Sequence, residues 1–178
     1  MYRFALAGVI SLVAATTGGT VLITVEEALE LVFPGAITNQ ETLFLSDDQR
    51  KLAEKESGSE ISSALATRYV AQGKDGAVLG WAYLDTHRVR TLPETLMVVI
   101  GADGTVRRVE VVTFREPLEY MPREGWYGQY DGQHLDDDLA LKRDIRPVTG
   151  ATLTARATTE AVRRVLAIHA VAAQEKTP

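Results

Sequence analysis

The stretch Glu94–Phe114, ETLMVVIGADGTVRRVEVVTF, decides the fold. Its two halves are rich in β-branched residues and flank the turn sequence GADG, and the second half alternates apolar with polar residues, as a strand with one buried face requires. The stretch therefore predicts an antiparallel hairpin. Upstream, the strand-like runs ALATRYVAQ (residues 64–72) and AVLGWAYLDTH (77–87) are joined by GKDG, a second hairpin signal. Together the two hairpins predict a small antiparallel sheet of about four strands.

Two short helices are predicted ahead of the sheet. Thr24 with Glu27, and Ser46 with Gln49, have the spacing of a capping box, in which two side chains satisfy free backbone N–H groups at a helix start. The first box opens VEEALELVF and the second opens DDQRKLAEKE. We therefore expect both helices to precede the strands in sequence.

The chain is predicted to end in a long amphipathic helix, residues 152–173, that packs one face against the sheet. Between the sheet and this helix, a turn-rich connection is predicted to hold a short helix around Trp126–Tyr130. The apolar stripe of the last helix comprises Leu153, Ala157, Ala161, Val165 and Ile168. The fold class is thus α+β, a small antiparallel sheet flanked by short helices and a C-terminal amphipathic helix.

Composition narrows the function classes. With 178 residues, 46% of them apolar, the chain can bury one good core. The net charge is −5 and the basic residues are scattered among acids, which argues against a nucleic acid as partner. The absence of cysteine excludes disulfides, thiolate metal sites and cysteine-ligated clusters, and the three histidines lack ligand-like spacing, so we expect no metal.

The N-terminal segment is predicted to be a membrane anchor. Residues 4–25 carry no charge, a length that spans a bilayer. Arg3 before this segment and acids from Glu26 onward predict an N-terminus in the cytoplasm and a domain outside. We therefore divide the chain into an anchor, residues 1–24, and a globular domain, residues 25–178. Two alternatives remain open, a cleaved export signal and a helix buried against a partner subunit.

The start of the last helix carries the sequence VTGATLT, Val148–Thr154. Small residues at Gly150 and Ala151 allow close approach to the backbone. The free N–H groups of a first helical turn, with the positive end of the helix dipole, suit a phosphate. The alternative interpretation is an ordinary helix cap, a role that threonine hydroxyls often fill.

The same letters resemble the (Ser/Thr)-Gly-Ala-Thr motif of the FMN-binding domain family, which includes the C subunit of sodium-pumping NADH:quinone reductases and the G subunit of Rnf complexes. The order of short helices, strands, a tryptophan-containing helix and GATLTARATTEAVRRVL is also similar to that domain from about Val25 to Ala173. The resemblance implies that FMN is joined through its phosphate to Thr152. The other motif residues that it implies at the cofactor are Thr149, Gly150, Ala151, Leu153 and Thr154.

The chemistry that this resemblance implies is electron transfer by a subunit, and not turnover by a stand-alone enzyme. Glu94, Thr95 and Glu116 are the further candidates for the surroundings of the flavin ring, with strand-end solvation as the competing interpretation of each. A carboxylate near the ring would disfavour the anionic reduced flavin and lower its potential. The resemblance also implies other subunits of a membrane redox complex as partners, with the domain on the periplasmic side of the cytoplasmic membrane.

One position departs from the family pattern. The family usually has an acidic residue three positions before the first motif threonine, where this chain has Arg146. That acid is thought to help the flavin transferase recognise its substrate. Two hypotheses therefore stand side by side, a covalent flavoprotein and a member without covalent FMN that serves as a structural or interaction subunit. A third, a flavin-dependent reductase with its own soluble acceptor, lacks acid–base groups in the sequence to support it.

Overall fold

The computed structural model describes residues 20–174. This part of the chain forms six strands and four α-helices. Two single turns of 3-10 helix, Leu118–Tyr120 and Gly128–Tyr130, flank the third helix. In chain order the elements are β1 (Thr20–Val21), α1 (Val25–Val32), β2 (Ile37–Phe44), α2 (Asp47–Ser57), β3 (Leu65–Gln72), β4 (Val78–Arg88), β5 (Pro93–Gly101), β6 (Val106–Phe114), α3 (Glu124–Tyr127) and α4 (Thr152–Gln174).

All strands join one antiparallel sheet in the order β1-β6-β5-β4-β3-β2. The four predicted strands are present as β3 to β6, and both predicted hairpins are confirmed. The expectation of about four strands is nevertheless wrong, because β1 and β2 add one strand at each edge. An edge strand buries little of either face, so the sequence of β2, ITNQETLF, shows no strong apolar alternation.

The sheet carries helices on both faces. Alternate residues of a strand point to opposite faces, and in β5 Leu96 and Val98 join the core under α4, whereas Met97 and Val99 join a smaller core under α1. The larger core therefore lies between the sheet and α4, as predicted for an amphipathic C-terminal helix.

The helix starts follow the sequence prediction closely. Both capping boxes form, with Thr24 and Ser46 accepting from the N–H groups of Glu27 and Gln49. The predicted short helix around Trp126 is present as α3 and the turn that follows it. The prediction that these first helices both precede the sheet is wrong, because β2 lies between α1 and α2.

The apolar stripe of α4 begins later than predicted. Ala157, Ala161, Val165 and Ile168 are buried, but Leu153 is 47% exposed. Its neighbours Thr154 and Ala155 in the first turn of α4 are buried, so the Leu153 side chain faces away from the core.

The predicted anchor falls almost wholly on residues 1–19, which lie outside the described residues. Its last part does not continue as a helix, because Thr20 and Val21 pair with Phe114 and Thr113 as β1. Among residues 20–174, no helix is both long enough and apolar enough to cross a bilayer. The described chain thus enters the sheet directly from the predicted anchor segment.

Candidate functional site

The start of α4 is an open helix end with an exposed hydroxyl. Gly150 has φ +86°, a left-handed conformation that residues with a Cβ rarely adopt, and it turns the chain into the helix. Ala151 is buried, whereas Thr152, the first helical residue, is exposed. The Thr152 hydroxyl donates to the carbonyl of Val148 at 3.1 Å. This hydroxyl is therefore fixed in position and open to solvent.

The alternative of an ordinary threonine cap does not hold. The described residues provide no side-chain acceptor for the N–H groups of Thr152, Leu153 and Thr154. The caps of α1 and α2 show that this chain uses hydroxyl caps elsewhere. The free N–H groups of α4 therefore remain available to an anion.

Three hydrogen bonds fix the site against the segment that follows the sheet. The Thr154 hydroxyl is buried and donates to the carbonyl of Tyr120 at 2.5 Å. The Trp126 indole N–H donates to the carbonyl of Arg146 at 2.7 Å, and the N–H of Arg146 donates to Gln129 at 2.9 Å. The 3-10 turn and α3 thus hold both the start of α4 and the loop before it. Thr154 has a positioning role here, and its predicted bond to a phosphate stays a prediction.

Glu116 is buried and holds the β4–β5 turn. One carboxylate oxygen accepts from the N–H groups of Arg90, Thr91 and Leu92, at 3.2, 2.7 and 2.8 Å. These bonds, those of Leu92 and Thr91 first, lower the pKa of Glu116. The turn that Glu116 holds is close to the site, because the Arg90 guanidinium lies 4.8 Å from the centre of the Tyr120 ring.

Three leucines are exposed on the segments that meet at this end of the molecule. Leu92 is 42% exposed, Leu118 is 52% exposed, and Leu153 is 47% exposed. They belong to the turn held by Glu116, the 3-10 turn bonded to Thr154, and the first turn of α4. These segments therefore offer an apolar surface beside the Thr152 hydroxyl.

The same segments are rich in arginine. Six arginines and four acids lie in residues 88–92, 115–124 and 144–156, although the whole chain has a net charge of −5. Within residues 20–174, none of these six arginines forms an ion pair with a carboxylate. The three segments together thus carry two more basic than acidic residues. The six are Arg88, Arg90, Arg115, Arg123, Arg146 and Arg156.

Glu94 is fully buried and belongs to a charged cluster. Its Oε2 lies 3.1 Å from His87 Nε2, and His87 Nδ1 lies 2.8 Å from Asp85. Asp85 in turn accepts from Arg164 at 2.9 Å. Burial opposes a charge on His87, but the two carboxylates more than offset it and raise its pKa to about 8. Burial also raises the pKa of Glu94, against the opposing effect of His87.

Glu94 and Thr95 cannot both face one ligand on the same side of the sheet. Glu94 lies on the α4 face with Leu96, and Thr95 lies on the α1 face with Met97. There the Thr95 hydroxyl forms a hydrogen bond with that of Thr86 at 2.9 Å. Of the two, only Glu94 lies on the face that α4 covers, and contact of either with a flavin stays a prediction.

Sequence reasoning missed most of the surroundings of the motif. His87, Asp85 and Arg164 lie far apart in sequence and have no motif spacing, so only the pairing of β4 with β5 and α4 shows that they meet. Tyr120 contributes a backbone carbonyl, for which its side chain gives no signal. The uneven distribution of arginine along the chain is the one signal that could have been found from the sequence.

The comparisons with known proteins agree with this location. Residues 92–167 match the FMN-binding domain family, a range that includes β5, β6, α3 and the first two thirds of α4. The match identifies an FMN-binding domain in this part of the chain and points to flavin as the ligand. Comparisons with curated proteins and with solved structures find no significant match.

Proposed function

Because residues 92–167 belong to the FMN-binding domain family, we propose that the chain carries FMN as a phosphoester on Thr152 and relays electrons within a membrane redox complex. The observation that carries this proposal is the exposed Thr152 hydroxyl at an open helix start, directly after the left-handed Gly150. Phosphoester formation replaces the hydroxyl hydrogen by phosphorus and removes one water in total from threonine and FMN. No other side chain has to change.

The surroundings of Thr152 fit a phosphate. The free N–H groups of the first turn point along the helix axis toward it, and the helix dipole favours a negative charge there. The six arginines around this end add long-range attraction in a chain that is otherwise acidic. Gly150 allows close approach, since a Cβ built at that position meets nothing within 4 Å and leaves the surface open.

The surroundings also fit an aromatic ring system beside the phosphate. Leu92, Leu118 and Leu153 are exposed and provide apolar area that a ring could cover. Bound flavin supplies the redox chemistry, and the protein tunes it by charge, hydrogen bonds and burial. Arg90 and the neighbouring arginines would favour the reduced, more negative form, whereas the buried Glu94 would oppose it.

Membrane attachment and a complex are part of the same proposal. The uncharged residues 4–19 come directly before β1, which begins at Thr20. With Arg3 ahead of them, they favour a single anchor and a domain on the periplasmic side. A domain held at the membrane by one segment, with its flavin near an exposed surface, could exchange electrons with neighbouring subunits.

The first test is covalent attachment. The full chain is expressed in a host with an active flavin transferase, and the denatured protein is examined by in-gel flavin fluorescence and intact mass. We expect a fluorescent band and the mass of one FMN less one water. Both should be lost in Thr152→Val and kept in Thr42→Val, a matched change of an exposed threonine on β2.

A dark wild-type band would overturn the covalent proposal. Flavin that co-purifies and is released on denaturation would then show binding without a covalent bond. A chain that carries no flavin under either condition would favour the structural or interaction subunit, the hypothesis that Arg146 in place of an acid supports.

A further inference from the structure

Three buried polar atoms near the α4 side of the sheet have no hydrogen-bond partner among residues 20–174. They are Oε1 of Glu94, the hydroxyl of Tyr127 and the hydroxyl of Thr158. Leaving such a group unpaired costs about 1 to 3 kcal/mol, and more for a charged one. A buried carboxyl group with one oxygen unpaired therefore needs an explanation beyond packing.

Glu94 lies between the charged cluster and the start of α4. It shares the α4 face of β5 with Leu96. Thr158 follows Thr154 by four residues and so lies one helical turn beyond it, on the same side of α4. Burial raises the pKa of Tyr127, and the negative charge of Glu94 adds to the rise, so Tyr127 is also a neighbour of Glu94.

The other oxygen of Glu94 connects it to solvent through His87. Glu94 Oε2 lies 3.1 Å from His87 Nε2. A cavity of about 510 Å³ opens on the far side of this pair and is lined by Asp85, His87, Arg164 and the chain around Ser62. Glu94 itself does not line that cavity. His87 therefore connects the cavity to Glu94.

We propose that Glu94 is the internal proton acceptor of the electron-transfer site, and that His87 delivers its proton from the solvent-filled cavity. This inference rests on the proposed function. When an electron from the redox partner adds negative charge near the start of α4, the proton affinity of Glu94 rises. The N–H bond of His87 Nε2 then breaks and an O–H bond forms on Glu94 Oε2, while Nδ1 keeps its hydrogen toward Asp85. A hydronium ion from solvent in the cavity restores the N–H bond of His87 Nε2 and becomes water.

The charged and hydroxyl groups around Glu94 can support this proton transfer. From β4, Asp85 keeps a proton on His87 and His87 faces Glu94. From α4, Arg164 donates to Asp85. Burial raises the pKa of Asp85, but the bonds from His87 and Arg164 more than offset burial and lower that pKa. From the segment between the sheet and α4, burial raises the pKa values of Tyr127 and Tyr130, and the charge of Glu94 adds to the rise. His87 and Glu94 thus form a buried pair in which a proton can pass from the imidazole to the carboxylate.

A first experiment examines the pair without flavin. The imidazole of His87 is titrated by NMR in the flavin-free full chain, in Glu94→Gln, and in Glu110→Gln, a matched change of a carboxylate on β6. We expect a pKa of about 8 in the wild type and in Glu110→Gln. In Glu94→Gln the pKa should fall toward 6.5, the ordinary value. An unchanged value in Glu94→Gln would overturn the coupling and the proposal with it.

A second experiment detects the proton itself. Infrared difference spectra are recorded when the FMN-loaded chain is reduced. We expect the C=O band of a protonated carboxyl group to appear in the wild type and in Glu110→Gln, and to be lost in Glu94→Gln. In His87→Gln the same band should appear more slowly, which keeps the test valid if Glu94→Gln does not fold.

The outcomes separate the inference from the proposed function. A flavin-loaded wild type without the band, or a band that persists in Glu94→Gln, overturns the inference and leaves the proposed function intact. A chain that binds no FMN overturns both, and the shift in the His87 titration would then report a structural ion pair only.

Discussion

The stability of this protein should fall as the pH rises through the pKa of His87. The imidazole lies between Asp85 and Glu94, and its side chain is only 10% exposed. These carboxylates hold the proton more tightly in the folded chain than in the unfolded chain. The sign follows from linkage: the stabilisation is fully present below the unfolded pKa of 6.5 and is lost as the pH rises through the folded pKa of about 8.

The size of the effect follows from the two pKa values. A rise from 6.5 to about 8 corresponds to about 2 kcal/mol. The small exposure of His87 means that solvent screening reduces this figure little. Glu94 works in the same direction, because a buried carboxyl group with a raised pKa destabilises the fold as it ionises. For a domain of this length, about 2 kcal/mol corresponds to about 4 to 8 °C in Tm.

The assay is equilibrium urea unfolding followed by fluorescence, from about pH 6 to about pH 9. The wild type and His134→Gln, a change of an exposed imidazole next to Asp136, should both lose about 2 kcal/mol over this range. His87→Gln should be less stable at low pH and should lose clearly less stability over this range, because only the contribution of Glu94 remains. A wild type whose stability rises with pH, or an equal fall in His87→Gln, would refute the reasoning.

Three further predictions concern other parts of the fold. Burial, and after it the charge of Arg68, lowers the pKa of His169 to about 4. The free energy of unfolding should therefore fall by about 3 kcal/mol as the pH drops from 6.5 toward 4. Urea unfolding of His169→Gln should not show this fall. Glu116→Gln should cost about 1 to 2 kcal/mol and speed amide exchange in the turn at residues 90–92, which it holds. Gly80→Ala should cost about 1 to 3 kcal/mol in thermal unfolding, because the added Cβ would lie 2.5 Å from the carbonyl oxygen of Ile100; an unchanged Tm would show that the strands separate freely there.

The sequence alone predicted the elements that depend only on residues close together in the chain. A capping box is a pair of residues three apart, and both boxes formed where the spacing predicted them. The hairpin at 94–114 also depends on neighbouring residues only. β2 was not predicted, because its exposed and half-exposed residues show no apolar pattern. Its pairing with β3 stabilises it as a strand. β1 is too short to carry a pattern at all.

The site residues also divide into those that the sequence predicts and those that it does not. The motif at Val148–Thr154 could be read directly, and its place at the start of a helix followed from the amphipathic pattern behind it. The charged cluster could not, because Asp85 and Arg164 meet only after α4 has packed across β4. The sequence also suggested that Glu94 and Thr95 lie together, whereas the pleat of β5 sends them to opposite faces.

Arg146 raises two separate questions, whether a transferase can attach FMN and whether the site can bind it. The backbone of Arg146 is fixed, since its N–H donates to Gln129 and its carbonyl accepts from Trp126, but its side chain is exposed. The loop before α4 is therefore held in place whichever side chain stands at this position. An acid there would change the charge that an approaching transferase meets, and would leave the Thr152 hydroxyl where Val148 holds it. Under the proposed function, the missing acid thus affects whether a transferase would attach FMN, whereas the open helix start affects whether FMN would bind. Attachment can therefore fail while binding still occurs.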